Sequence, residues 1–312
     1  MANNIFVLGE LNVDLIMTGE DVMPEWNKEK LLSGFSMVLG SSSAITACGL
    51  AGLGQQVYFV SVVGDDHYGR FCLEALEKMK VDTRYVVVDP NRQTGVTLSL
   101  STEQDRALLT YMGAISELSP EHLPQEMYEQ ADHIHFGSYY LQRTMRDHWS
   151  DVFREAVQRG ISTSFDTGWD IDEQWHRDQI NELLPWTTLF IPSEVELNRI
   201  YGAERPEQAL EQLPEGNGAA AVKRGAAGAL YRAPSGECIQ MPAFNVVPID
   251  TTGAGDSFNA GFIYSYLNGD SPERCLQFAS ACGALATQRI GGASSVPSVA
   301  DVEQFIQRQQ SL

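Results

Sequence analysis

The sequence predicts an α/β fold built on a mainly parallel central sheet, and three observations predict it. Short β-rich runs alternate with amphipathic helical windows along the 312 residues, the pattern of repeated βα units. Hydrophobic residues at 43% and charged residues at 20% are ordinary for a globular chain. Two segments break the alternation, at about 15–39 and 93–113, and both read as strands outside the central sheet.

In chain order, "NIFVLGE" is the first strand, and "SSSAITACGLAGLG" is a helix with serines to cap it and Gly54 to stop it. "QVYFVSVVG" is a buried strand, and "HYGRFCLEALEKMK" puts Phe71, Ala75, Leu76 and Met79 on one helical face. Then come "ADHIHFGS" (strand), "RDHWSDVFREAVQRG" (helix), "ISTSFD" and "TTLFIPS" (strands) and "EVELNRIYG" (helix). "AAAVKRG" and "ALYRAPSGECIQM" are strand-like pieces around glycines, and helices near 254–268, 272–289 and 299–309 close the chain. The two interrupting segments have too few apolar residues for cores of their own. The expected organisation is therefore a single domain, 1–312, whose excursions at 15–39 and 93–113 form a small β-lid. The "HIH" at 133–135 sets two histidines on one face of a strand, where packing is expected rather than a metal site.

Asp and Glu number 41 against 21 Lys and Arg, a formal charge of −20. Such a surface repels phosphodiester backbones and anionic lipid heads, and the densest basic spots are pairs such as Lys223–Arg224. Neither a nucleic-acid nor a membrane partner is expected. The five cysteines are scattered without a CxxC, which fits reduced thiols in a cytoplasmic protein. The opening residues lack the basic region of a signal peptide, and no apolar run approaches the ~20 residues of a membrane span.

The stretch "DTTGAGDSFNAGF", residues 250–262, carries the chemistry. Small residues just before a helix leave backbone N–H groups unobstructed, and the helix dipole adds positive potential, so Gly253, Ala254 and Gly255 make an anion hole. Asp256, in the first turn, suits a general base that takes a proton from a hydroxyl while the N–H groups hold a phosphoryl group. The plain alternative is a capped helix start, worth ~0.3–1 kcal/mol on electrostatic grounds.

The same stretch resembles the C-terminal signature of the ribokinase family, the PfkB carbohydrate kinases. "GELNVDLI" is similar to that family's first strand, and "LGSSSAITACGLAGLGQQVYFVSVVGDDHYGRF" to its N-terminal signature. The resemblance covers the whole chain and implies a three-layer ribokinase-like fold and an ATP-dependent kinase acting on a primary hydroxyl of a sugar-like small molecule. It implies substrate contacts from Asn12, Asp14 and Gly40. Ser41 replaces the family's second glycine and Ile45 its sugar-binding asparagine, so the hydroxyls of Ser41 and Ser42 are expected either to replace lost contacts or to cap the helix. Arg106 is a candidate to close over an anionic substrate, with a solvated arginine as the plainer alternative.

For the nucleotide, the resemblance implies Ser193, Lys223, Gly225, Ala226, Gly228 and Ser280, with Glu196 organising Mg²⁺. It implies a monovalent-cation site, for K⁺, from Asp250, Thr252, Ala286, Arg289, Gly291 and Ser295. The alternative for Asp250 is a structural acid that accepts loop N–H bonds. Edge strands of a lid are natural contacts for a homodimer. Two other functions fit less of the sequence: a nucleoside kinase of the same fold, and a catalytically silent ligand-binding or regulatory homologue.

Overall fold

A computed structural model describes residues 2–102, 106–289, 291–292 and 296–310. The chain begins with β1 (Asn4–Leu8), β2 (Asn12–Thr18), β3 (Gly34–Leu39), α1 (Ser42–Gly52), β4 (Gln56–Gly64) and α2 (His67–Lys78). It continues through β5 (Asp82–Asp89), β6 (Gly95–Ser101), β7 (Arg106–Tyr111), α3 (Met127–Gln130), β8 (His133–Phe136), α4 (Trp149–Gln158), β9 (Ser162–Phe165) and α5 (Arg177–Leu183). Next come β10 (Leu189–Phe190), α6 (Glu194–Tyr201), α7 (Pro206–Leu210), β11 (Ala219–Lys223), β12 (Ala229–Arg232) and β13 (Cys238–Met241). Helices α8 (Ala254–Leu267), α9 (Pro272–Ala286) and α10 (Val299–Gln310) end it.

The larger sheet has the order β13-β12-β11-β10-β9-β8-β1-β4-β5. It is parallel from β5 to β11, and β12 and β13 join antiparallel. Side chains alternate across each strand, so β1 sends Phe6 and Leu8 to one face and Ile5 and Val7 to the other. The first face packs on Trp149 and Phe153 of α4 and Leu197 of α6; the second packs on Ala44 and Cys48 of α1 and Phe258 and Phe262 of α8. Both faces of a parallel sheet are thus covered, which is why its strands read as near-continuous apolar runs.

The smaller sheet has the order β3-β2-β6-β7; β3, β6 and β7 lie inside the two segments that interrupt the alternation, and β2 starts before the first of them, at Asn12 rather than about 15. Its apolar residues Phe35, Leu108, Leu109 and Tyr111 are exposed. His133 and His135 are buried and bond Ser162 and Ser164, so the "HIH" pair packs as expected. Other details differ from expectation. Strand β5 and the short helices α3, α5 and α7 were not foreseen, β10 is only two residues long, and α9 stops at Ala286 rather than near 289.

From β1 the chain goes to β4 on one side and later to β8 on the other. That reversal is a topological switch point, where open α/β sheets leave a crevice at the carboxyl ends of their strands. Glu10 and Asn12 follow β1, Ser138 follows β8, Asp166 follows β9, and Lys223 ends β11. The topology alone therefore brings the polar residues of four distant segments to one edge.

Candidate active site

Helix α8 starts at Gly253, whose φ of 75° is left-handed. A Cβ there would stand 2.6 Å from Gly292 Cα, so glycine is required by conformation and by packing. Among the described residues no side chain caps this helix start, and its first N–H, that of Ala254, donates to the Thr251 carbonyl at 3.3 Å, so of the expected anion-hole residues Ala254 has its N–H engaged within the loop. Asp256 is half-buried one turn in. Burial pushes its carboxyl up to about 7; the Ser42 hydroxyl bonded to Oδ1 and the Lys223 ammonium pull it down, and Asp166 and Glu10 push the same way as burial.

On the sheet side, Asn12 Nδ2 donates to Asp14 Oδ1 at 3.0 Å and lies 3.4 Å from Thr97 Oγ1 of β6. Burial raises the Asp14 carboxyl to about 6, against lowering by the Asn12 bond and the Arg106 charge. A Cβ on Gly40 would overlap Asp14 Oδ1 and Asn12 Nδ2, so this glycine clears the crevice wall. The three adjacent serines have separate partners. Ser41, at φ 72°, caps α1: its hydroxyl accepts from Ala44 N at 2.9 Å and donates to the Glu10 carbonyl at 2.6 Å. Ser42 reaches Asp256, and Ser43 donates to Glu10 Oε2 at 2.7 Å. The capping alternative describes Ser41, while Ser42 faces the site.

Beneath the α8 start lies a buried polar cluster. Lys223 Nζ donates to Asp166 Oδ2 at 2.5 Å and to Asn259 Oδ1 at 3.1 Å, and Asn259 Nδ2 donates to the same Asp166 oxygen at 2.7 Å. Burial alone would raise Asp166, but the ammonium and its bond hold the carboxyl below the usual range. Burial likewise opposes the Lys223 charge, and Asp166 and Glu196 overcome it and hold the amine above its ordinary value. A Cβ on Gly255 would stand 3.6 Å from Lys223 Nζ, so this cation sits under the start of α8. Lys223, expected at the nucleotide, lines the neighbouring cavity but turns its ammonium inward to Asp166.

That cavity, of about 380 Å³, runs from Ala254 and Gly255 to the turn between β11 and β12. Gly225, Ala226 and Gly228 line one side, and Phe244, Val246 and Pro248 line another. Ser280 lies in the wall formed by α9. An open hollow of about 840 Å³ elsewhere, between Thr18 and Lys30, holds none of these residues.

Ser193 and Glu196 form a capping box at the start of α6. Glu196 Oε2 accepts from Ser193 N at 2.8 Å and Thr167 Oγ1 at 3.0 Å; burial first, then the Asp166 charge, raises its carboxyl. Among the described residues no group of three or more His, Cys, Asp or Glu could cage a metal. Asp250 accepts from Thr252 N at 2.8 Å and from Gly291 N at 2.9 Å, which ties the loop before α8 to the chain after α9. Burial would raise this carboxyl, and those two N–H bonds, with the Thr252 hydroxyl and the Arg106 charge, outweigh it and lower it. The Ala286 carbonyl accepts from Arg289 N at 3.3 Å, and Ser295 lies outside the described residues. Arg106, on β7, donates to Thr252 Oγ1 at 2.6 Å and so bridges the smaller sheet to the same loop.

Sequence reasoning missed Glu10, Asp166 and Asn259. Glu10 is 2% exposed and accepts from Ser43, Ser138 and Gln142. Asn259 stood inside the quoted motif, one helical turn after Gly255 and Asp256, and that spacing was its only signal.

Asn12 and Asp14 lie on one side of the α8 start, and the apolar cavity that reaches Ala254 and Gly255 lies on the other. Residues 2–299 match the model of the pfkB family carbohydrate kinases, and the chain belongs to that family. It is a carbohydrate kinase with the ribokinase fold. It is 32% identical to an ATP-dependent ribose-1-phosphate kinase of Halopiger xanaduensis over 96% of both chains. It is 28% identical to a ribokinase of Bacillus subtilis, over 97% of this chain and 99% of that one. The Arabidopsis thaliana ribokinase complexed with ribose and ATP superposes with a TM-score of 0.86 at 25% identity, covering 98% and 99% of the two chains. An E. coli protein of the ribokinase II type, in complex with ATP and Mg²⁺, gives 0.85 at 27% identity over 99% and 100%.

Proposed function

We propose that this kinase transfers a phosphoryl group from ATP to a primary hydroxyl of a sugar or sugar-derived small molecule. The observation that carries this reading is the place of Asp256, in the first turn of a helix that starts on Gly253, bonded to Ser42 and beside Ala254 and Gly255 of the cavity wall, where burial pushes its carboxyl up to about 7. Nucleotide and Mg²⁺ supply the phosphoryl group and part of the charge that neutralises it. Asn12 and Asp14 bind acceptor hydroxyls, and Arg106 closes the second sheet, acting as a lid, over them. Asp256 takes the proton of the attacking hydroxyl. The N–H groups of 253–256, with Lys223 beneath them, favour negative charge on the migrating group. Ser280 and the glycines of the β11–β12 turn, which line the cavity, would hold the nucleotide, and Glu196 would order water around Mg²⁺.

K⁺ beside Asp250 would share a carboxylate that already ties the loop to Gly291. A cytoplasmic setting fits five free cysteines, four of them buried. The exposed Phe35, Leu108, Leu109 and Tyr111 support a homodimer through the lid. Light scattering then gives twice the chain mass, and a monomer mass at micromolar concentration would refute the dimer.

An ADP-release screen over sugars, sugar acids and nucleosides, with and without K⁺, tests the function. Turnover on a sugar is expected. Turnover on nucleosides alone would favour the nucleoside kinase, and none on any acceptor despite tight nucleotide binding would favour the silent homologue.

A further inference from the structure

Helices α1 and α8 meet near their N-termini, and one stripe of α1 fits one stripe of α8. Ser42, Thr46 and Gly49 stand at i, i+4 and i+7 on α1. Ser42 Oγ donates to Asp256 Oδ1, and Thr46 Oγ1 donates to the Asp256 carbonyl at 3.3 Å. A Cβ on Gly49 would stand 2.7 Å from Ala260 Cβ, so the helices touch there through the missing side chain. These three contacts set the rotation and height of α1 against α8. The Ser42 hydroxyl therefore meets Asp256 through the register of two packed helices.

Ser42 is the first residue of α1, after the cap Ser41, and Asp256 lies in the first turn of α8, so their bond joins the first turns of the two helices. The charged groups acting on Asp256 are Lys223 from β11, Asp166 after β9 and Glu10 after β1. Ser41 and Ser43 are occupied by Glu10 and Ala44, which leaves Ser42 as the member of the triplet that serves Asp256.

We infer that Ser42 is a positioning residue for the base: its hydroxyl holds Asp256 Oδ1, so that Oδ2 is the oxygen that takes the acceptor's proton. The inference rests on Asp256 acting as that base. Ser42 itself gives up no proton; it keeps its bond to Oδ1 while the acceptor O–H bond breaks and the Oδ2–H bond forms. A hydrogen bond to the charged form favours that form, so Ser42 also keeps the carboxylate ionised nearer neutrality.

The test compares Ser42→Ala and Ser42→Thr with the unaltered chain. Carboxyl ¹³C titration, with Asp256→Asn used to assign the resonance, reads Asp256 without any acceptor present. The midpoint is expected to move up by about half a pH unit or more in Ser42→Ala and to stay in place in Ser42→Thr. With an acceptor from the screen, the acid limb of kcat/KM should move up equally and kcat at pH 7 fall about 3- to 10-fold, with the KM for ATP unchanged. An unmoved titration in folded Ser42→Ala overturns the inference. So does a moved titration with unaltered kcat and acid limb. If the unaltered chain turns over no acceptor, the base reading fails first, and the titration, which needs none, tells that failure apart.

Discussion

Asp256→Asn is expected to lower kcat about 10³-fold while leaving the fold and nucleotide binding intact. Asparagine keeps the size of the side chain and can still accept a bond from Ser42, but it cannot take a proton. Near-normal turnover in this variant would defeat the mechanism. In the unaltered enzyme, a base held up at about 7 predicts that kcat/KM falls about tenfold per pH unit below that value.

The same carboxyl makes a stability prediction of definite sign. Its ordinary value is 3.8 and its folded value about 7, so the folded chain holds this proton more tightly than the unfolded chain. The stabilisation is complete below about 4 and is lost as pH rises through 7. Asparagine does not titrate, so Asp256→Asn should be the more stable protein at pH 8, by about 1–3 kcal/mol, with the gap closing towards pH 4. Denaturant melts at pH 8 and pH 5 check this. A variant less stable than the parent at pH 8 would mean that the carboxylate carries no burial penalty.

The second large effect is expected at Lys223→Met. The Lys223 and Asp166 side chains are 13% and 6% exposed, and removing one partner leaves a buried carboxylate uncompensated. Breaking such a pair costs about 3–5 kcal/mol. The double variant Asp166→Asn, Lys223→Met removes both charges and should recover at least half of that loss. Turnover should stay low in both, because the positive charge under Gly255 is gone. Urea melts of the single and double variants decide the first point, and equal stability of Lys223→Met and the parent would contradict the pairing.

The sequence reveals those parts of this site whose signals are local. Gly253 to Asp256 are contiguous, and a helix start bared of side chains beside an acid has a chemical meaning without any tertiary structure. The alternation of strands and helices likewise needs only neighbouring residues. Glu10 and Asp166 carry no such signal, because each is one polar residue after a different strand and they meet through sheet order. The serine triplet shows the same limit at closer range. Ser41, Ser42 and Ser43 are chemically identical, yet a left-handed φ at Ser41 sends their hydroxyls to a cap, to Asp256 and to Glu10. Strand β5 escaped because it lies at the sheet edge with much of its surface in water, so its burial does not alternate cleanly.

Arg106 joins strand β7 to Thr252, three residues before Gly255, and Asp250 joins that same loop to Gly291. The smaller sheet, the loop before α8 and the chain after α9 are therefore connected at one turn.

Phosphoryl transfer itself is most directly followed by ³¹P NMR of the enzyme with ATP, Mg²⁺ and the acceptor found in the screen. A new phosphomonoester resonance should grow in step with ADP in the unaltered enzyme and be nearly absent with Asp256→Asn. Release of inorganic phosphate alone, or an equal phosphomonoester yield from both proteins, would contradict transfer to a hydroxyl activated by Asp256.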